Sequence, residues 1–150
     1  MGGDFMSFMN GMNVSASGMT AQRLRLDIIS QNIANVSTTR DENGNAYRRK
    51  MVVFAEKDDA SFGSILMKAT GTVGNGVKVT EISEDNKTPL RKVYNPSHPD
   101  ADEEGYVSYP NVNIVQEMTD MIDASRSYEA NVTAFNATKN MALKTLELGK

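Results

Sequence analysis

The stretch IVQEMTDMIDASRSYEANVTAFNATKNMALKTLEL, residues 114–148, decides the fold. Along it apolar side chains recur at alternating steps of four and three: Ile114, Met118, Met121, Tyr128, Val132, Phe135, Ala142 and Leu146. Only Ser125 and Lys139 break the stripe, and neither proline nor glycine occurs between Asn111 and Leu148. That period is the seam of a helix built to lie along another helix. At ~1.5 Å per residue it would run about 50 Å. Asn113, with Gln116 three residues on, reads as an N-terminal capping box. Glu117, Asp120 and Asp123 lie early and Lys139, Lys144 and Lys150 late, which suits the helix dipole.

The partner stripe sits at the other end of the chain. Phe8, Met12, Ser15, Met19, Gln22, Leu26, Ile29, Ile33 and Val36 repeat the four-three spacing, with two polar interruptions. Gly11 and Gly18 each cost about 1 kcal/mol in a helix interior, so the chain before about Ser15 is expected to be loose unless something docks on it. The sequence thus predicts a mainly α protein with a small β-rich or irregular middle. Its N-terminal helix (1–36) and C-terminal helix (111–150) pair as an antiparallel coiled coil around an outer segment (37–110).

Within the outer segment, Asn43-Gly44 marks a turn. Residues 47–54 and 77–82 alternate as strands do, 90–94 and 106–109 are shorter strand candidates, and 58–76 reads as a glycine-containing loop. All four prolines fall between residues 89 and 110, which keeps that stretch extended and turning.

Composition narrows the function. The net charge is −3 and the basic residues cluster only at Arg48-Arg49-Lys50, which argues against a nucleic-acid partner. No window approaches the ~18 apolar residues of a membrane span, and the N-terminus lacks the pattern of a cleaved secretory signal. With no cysteine there are no disulfides, thiolate metal sites or thiol nucleophiles. Asp58-Asp59 and Asp100, Asp102, Glu103 and Glu104 read as solvated acids rather than a catalytic pair. The Asp100-x-Asp102-x-Glu104 spacing lacks the glycine and closing glutamate of an EF-hand. His98, the single histidine, sits between prolines as a loop residue. Gly71-x-x-Gly74-x-Gly76 precedes a strand, where a phosphate cradle would follow one. The expectation is no enzyme, no cofactor, no metal and no small-molecule substrate.

Apolar residues left over carry more weight. One seam is expected to join the helices within the chain, through Leu26, Ile29, Ile33, Met118, Met121, Tyr128, Val132, Phe135 and Leu146. Leu24, Ile28, Val115, Ile122, Met141 and Leu143 fall off it, with Ala21 beside them. A buried Leu or Ile contributes roughly 1.5–3 kcal/mol, so leaving this set wet forfeits stability comparable to that of a small domain. No third long helix exists to cover it. The off-seam residues are therefore expected to meet other subunits. The alternative is that the outer segment folds back as a cover.

Two runs resemble a known family. Ser17-Gly18-Met19-Thr20-Ala21-Gln22-Arg23-Leu24 followed by Asn32-Ile33-Ala34-Asn35-Val36-Ser37-Thr38 resembles the N-terminal signature of flagellar rod and hook proteins. Residues 98–113, containing Gly105, Tyr106, Pro110 and Asn111, and the closing helix from Met121 to Asn131 are similar to the proximal-rod branch of that family. Thr38-Thr39-Arg40 replaces the Thr-Pro-Gly turn of many rod relatives, and the chain is too short for the insertion domain of distal-rod and hook subunits.

The resemblance implies a structural subunit of the basal-body rod, in the periplasm and cell wall, exported without a cleaved signal. It implies helical polymerisation through the terminal helices and transmission of motor torque. The implied partners are other copies, proximal and distal rod subunits, the MS-ring adaptor protein and the flagellar type III export apparatus. Phe5, Phe8, Met9 and Met12 would form the apolar export signal. Another rod-family subunit, or a cytoplasmic coiled-coil adaptor, is the alternative reading.

Overall fold

The computed structural model describes residues 2–41, 44–57 and 75–148. The glycine-containing loop with Asp58-Asp59, Gly63, Gly71 and Gly74, and Asn43 of the expected turn, lie outside these residues. The element order is α1 (Gly2–Ala34), β1 (Lys50–Glu56), β2 (Val77–Glu84), β3 (Arg91–Tyr94), β4 (Tyr106–Tyr109) and α2 (Ile114–Leu148). Two long helices thus flank two small two-stranded sheets, β1–β2 and β3–β4.

Contacts divide the chain into two compact units. One is built from residues 1–24, 54–80 and 124–150, the other from 25–53 and 81–123. In the first, the helices run antiparallel. Gly11 faces Thr138 and Gly18 faces Asn131, so seven residues forward on α1 match seven backward on α2. A Cβ on Gly18 would stand 2.9 Å from the Asn131 Oδ1, so the missing side chain is what admits the partner. Ala21 and Ala124 are buried here.

α1 is helical from Gly2, and the contact of Gly11 with Thr138 is docking of the kind on which the looseness before Ser15 is conditional. Intrinsic propensity is a weak prior, and side-by-side packing overrides it. The strand pair is fastened to the same helix. Ser17 Oγ donates to Val14 O at 2.7 Å and accepts from Val77 N at 3.0 Å. Gly76, at φ +101°, lies against the Ser17 side chain, in a space where a Cβ would collide with it.

The second unit holds the buried residues Ile28, Ile29 and Val107. β3 and β4 pair antiparallel, Arg91 with Tyr109 through Tyr94 with Tyr106. Tyr94 and Tyr106 meet edge to face at 5.3 Å between ring centroids. Gly105, at φ +82°, turns the chain into β4 where a Cβ would lie 2.9 Å from the Tyr94 ring. The cap of α2 forms in part as expected: Asn113 Oδ1 accepts from Val115 N at 3.0 Å and Gln116 N at 3.4 Å. The Gln116 side chain does not close the box, reaching Asp120 Oδ1 at 3.5 Å instead.

Candidate functional site

The second unit is organised around one buried asparagine. Asn32, 1% exposed, uses all its hydrogen-bonding capacity. Its Nδ2 donates to Lys50 O at 2.9 Å and to Glu117 Oε2 at 3.0 Å. Its Oδ1 accepts from Tyr47 Oη and from Lys50 N, each at 2.9 Å. One side chain of α1 therefore fixes the start of β1, the residue three before it, and the first turns of α2.

Glu117 is 0% exposed. Its second carboxylate oxygen accepts from Arg49 Nε at 2.5 Å, and Arg49 also reaches Asp120 Oδ2 at 3.3 Å. Arg25 approaches the other Asp120 oxygen at 3.7 Å. A buried charge needs a partner and hydrogen bonds to be tolerated, and Glu117 has both. The Arg49 backbone is held as well: its N donates to Asn111 Oδ1 at 2.9 Å and its O accepts from Asp85 N at 2.8 Å. Asn111 Nδ2 in turn donates to Asp85 O and Thr88 O. Burial, followed by the charges of Glu117 and Glu84, raises the Tyr47 hydroxyl above its ordinary value of 10.0. The Thr88 hydroxyl and amide hold the Asp85 carboxylate below the ordinary range.

The remaining motif residues shape the surroundings. Asn35 Nδ2 bonds back to Gln31 O, and its Oδ1 accepts from Thr38 Oγ1, finishing α1 without a glycine. Pro110 is buried ahead of α2. Asp102 Oδ1 accepts from Tyr106 N at 2.7 Å and from Glu104 N at 3.1 Å, so the acids of this run serve the hairpin turn. Asp100 is bonded by Thr39 Oγ1 and approached by Arg40, and its N donates to His98 Nδ1. An open groove of about 1060 Å³ lies nearby, walled by Arg40, Arg48, Lys50, Glu84, Asp100 and Asp102 among others. Its charged walls differ from the apolar lining usual for small-molecule sites. Among the described residues no group of three or more acids or histidines is placed to hold a metal ion. None of the described helices is long and apolar enough to cross a membrane.

Several residues at the helix contact sit one position before members of the expected seam, most of which are themselves half-buried. Ile29 is buried, and Leu26, Ile33, Met121, Tyr128, Val132 and Phe135 are half-buried. Met118 and Leu146 are 55% and 60% exposed, so the chain does not bury them in a seam of its own. On α2, Glu117 and Ala124 are fully buried, and Asn131 and Thr138 face Gly18 and Gly11, each next to a polar or apolar member of the expected stripe. On α1 the same holds: Gly11, Gly18 and Asn32 precede Met12, Met19 and Ile33. Ala21 and Ile28, read as off-seam, are buried, as is the seam residue Ile29. Small and paired polar residues let backbones approach, and large side chains are displaced to the flank.

Of the other off-seam residues, Leu24 is half-buried, while Val115 (74%), Ile122, Met141 and Leu143 are exposed. Phe8 and Met12 are half-buried and Met9 is exposed, while the Phe5 side chain lies outside the described residues. Among the described residues the outer segment docks through Tyr47, Arg49, Lys50 and Val77, and Val115, Ile122, Met141 and Leu143 stay exposed. Sequence reading missed Arg49 and Tyr47 as structural anchors and took Glu117 only for a dipole charge. Its available signal was an acid at the seam's own period, one residue off the apolar stripe.

Comparison with known proteins adds independent findings. Residues 12–40 match the family model described as flagella basal body rod protein. Residues 103–148 match the model described as the C-terminal part of the flagellar basal body rod FlgEFG proteins. The flagellar basal-body rod protein FlgC of Bacillus subtilis is 51% identical, with 97% of this chain and 100% of the relative covered. The FlgC proteins of Borreliella burgdorferi (45% identical, 95% and 98% covered) and Salmonella typhimurium (41%, 97% and 100%) are also similar. The two matched stretches contain the two ends of the buried cluster, Asn32 and Glu117.

Proposed function

This chain belongs to the FlgC family of flagellar basal-body rod proteins and is a structural subunit of the rod, and from that premise we propose how it assembles. The terminal helices pair as an antiparallel coiled coil within one subunit, drawn together by small residues and the polar cluster. Their flanks then polymerise helically with other copies and with other proximal- and distal-rod subunits and the MS-ring adaptor protein. The rod so formed carries motor torque across the periplasm and cell wall, because near-solid side-chain packing resists shear.

One observation carries this reading: Val115, Met118, Ile122, Met141, Leu143 and Leu146 are exposed. Val115, Met118 and Ile122 recur at three and four residues on α2, which makes a continuous stripe on one flank. Met118 and Leu146, expected to close the subunit, are here assigned to its neighbours, and Ile28 to the interior. The ranges 1–36, 37–110 and 111–150 then act as inner helix, outward-facing segment and inner helix. Export runs through the type III apparatus, with Phe5, Phe8, Met9 and Met12 as the recognised apolar signal.

The test is to express Ile122→Asp and Val115→Asp in a strain lacking the native subunit. Soluble, exported protein with no rods in purified basal bodies is the expected outcome. Normal rods and motility would refute the assembly face. Deletion of residues 2–12 should abolish secretion, and unchanged secretion would discard the export assignment.

A further inference from the structure

We propose that the buried Asn32–Glu117–Arg49 cluster is the register lock of the helix pair: it decides which residues of α1 and α2 face one another. The inference rests on geometry within the chain and is independent of the assembly reading. Along the line of contact, Gly11 and Gly18 face Thr138 and Asn131. The next positions of that period on α2 are Ala124 and Thr145, small residues again. Sliding α2 by one heptad would bring Gly18 opposite Thr138 or Ala124, with little change in shape. Steric fit in this stretch therefore discriminates poorly between registers seven residues apart.

The polar cluster discriminates strongly. Asn32 to Glu117 is fourteen residues from Gly18 to Asn131 along both helices, so it belongs to the same register. A heptad slide would set Asn32 opposite Ala124 or Pro110. Glu117, with no exposure, would lose the Asn32 amide, and Asn32 would lose a carboxylate acceptor. Arg49 cannot serve both helices after a slide: its N is bonded to Asn111, which leads into α2, while both backbone groups of the next residue, Lys50, are bonded to Asn32 of α1. A buried charge stripped of its partners is strongly unfavourable, and a single buried polar contact setting helix register is the best-attested use of such groups.

The absence of native cysteine makes the register directly readable by disulfide trapping in the full chain. Gly11→Cys with Thr138→Cys reports the native register, and Gly11→Cys with Asn131→Cys or Thr145→Cys reports the two heptad slides, since a Cβ at Gly11 meets only ordinary contact at 3.9 Å. In the otherwise native chain the native pair should exceed the slid pairs by on the order of a hundredfold. In the apolar triple variant Asn32→Leu, Arg49→Met, Glu117→Leu, helical content should persist while the ratio falls to within about threefold, since apolar replacement of a buried polar group often preserves stability. Should the triple variant not fold, Glu117→Gln decides: it keeps the shape and removes the charge, and the slid products should rise about tenfold. An unchanged ratio in the folded triple variant, or in Glu117→Gln where the triple does not fold, overturns the proposal. So does a native chain with no preference among the pairs.

Discussion

Replacing Asn32 with alanine strips four groups at once: the Tyr47 hydroxyl, the Lys50 amide and carbonyl, and the Glu117 carboxylate. The two Lys50 groups lie at a half-exposed strand start and recover water. Glu117 keeps Arg49 but loses one oxygen's donor, and the Tyr47 hydroxyl loses its acceptor. Two groups left unsatisfied at ~1–3 kcal/mol each give about 2–6 kcal/mol, centred near 3–4. The other asparagine of the motif behaves differently. Asn35 bonds only within the closing turn of α1, at a half-exposed site, so Asn35→Ala should cost about 1 kcal/mol. Urea unfolding of the full chain, followed by helical circular dichroism, should separate the two by about 2–3 kcal/mol, a large part of a typical domain's stability. Asn32→Asp keeps the acceptor and sets a carboxylate against Glu117, so it should cost at least as much as alanine. Equal costs for Asn32→Ala and Asn35→Ala, or a neutral Asn32→Asp, would refute the reasoning.

The two helix glycines should respond oppositely to alanine. Gly11→Ala meets Thr138 at an ordinary 3.9 Å and should stabilise by up to about 1 kcal/mol, whereas Gly18→Ala presses on an Asn131 side chain that is bonded to Ser127 and should destabilise by about as much. Adding Asn131→Ala should turn the Gly18→Ala change favourable in a double-mutant cycle of melting temperatures. Gly76→Ala combines a left-handed φ with a collision at Ser17 and should cost about 1–3 kcal/mol in thermal unfolding. Tyr47 resists ionisation in the fold, so its contribution is complete below pH 10.0 and is lost as pH rises through its raised folded-state value. An ultraviolet tyrosinate titration should show a late-ionising phenol that is absent in Tyr47→Phe.

The period of both helices was legible in the sequence, and the small and polar residues at their contact were not. Four-three spacing suits helices that lie side by side, and Met121, Tyr128 and Phe135 are half-buried. Hydrophobic pattern assigns the contact to the largest apolar residues, yet close approach is governed by the smallest. Gly18 entered the sequence reading as a cost in propensity, and its packing role depends on Asn131, a residue 113 positions away. Glu117 was invisible for a similar reason. An acid in the first turns of a helix is expected on dipole grounds alone, and only the arrival of Arg49 and Asn32 from distant segments makes its burial tolerable. The strands were legible to within a few residues: β4 begins and ends as read, whereas β1 starts at Lys50 rather than Tyr47. Tyr47 through Arg49 are taken up by side-chain bonds to Asn32, Asp85 and Glu117 before the ladder begins.

The helix contact gives the fold a division of labour between specificity and adhesion. A helix pair closed on glycine, alanine and one saturated polar cluster uses little of its large apolar surface on itself. Polar contacts of that kind choose a geometry more than they add stability, while apolar area adds stability with little directional preference. The chain thus fixes its own helix pairing with directional groups and keeps the non-directional ones, from Val115 to Leu146, on the outside. For the assembling subunit proposed here, that order of use is the favourable one. A seam filled by Met118, Val132 and Leu146 would close the hairpin more tightly, leave neighbouring copies less to hold, and remove the polar contact that distinguishes one heptad from the next.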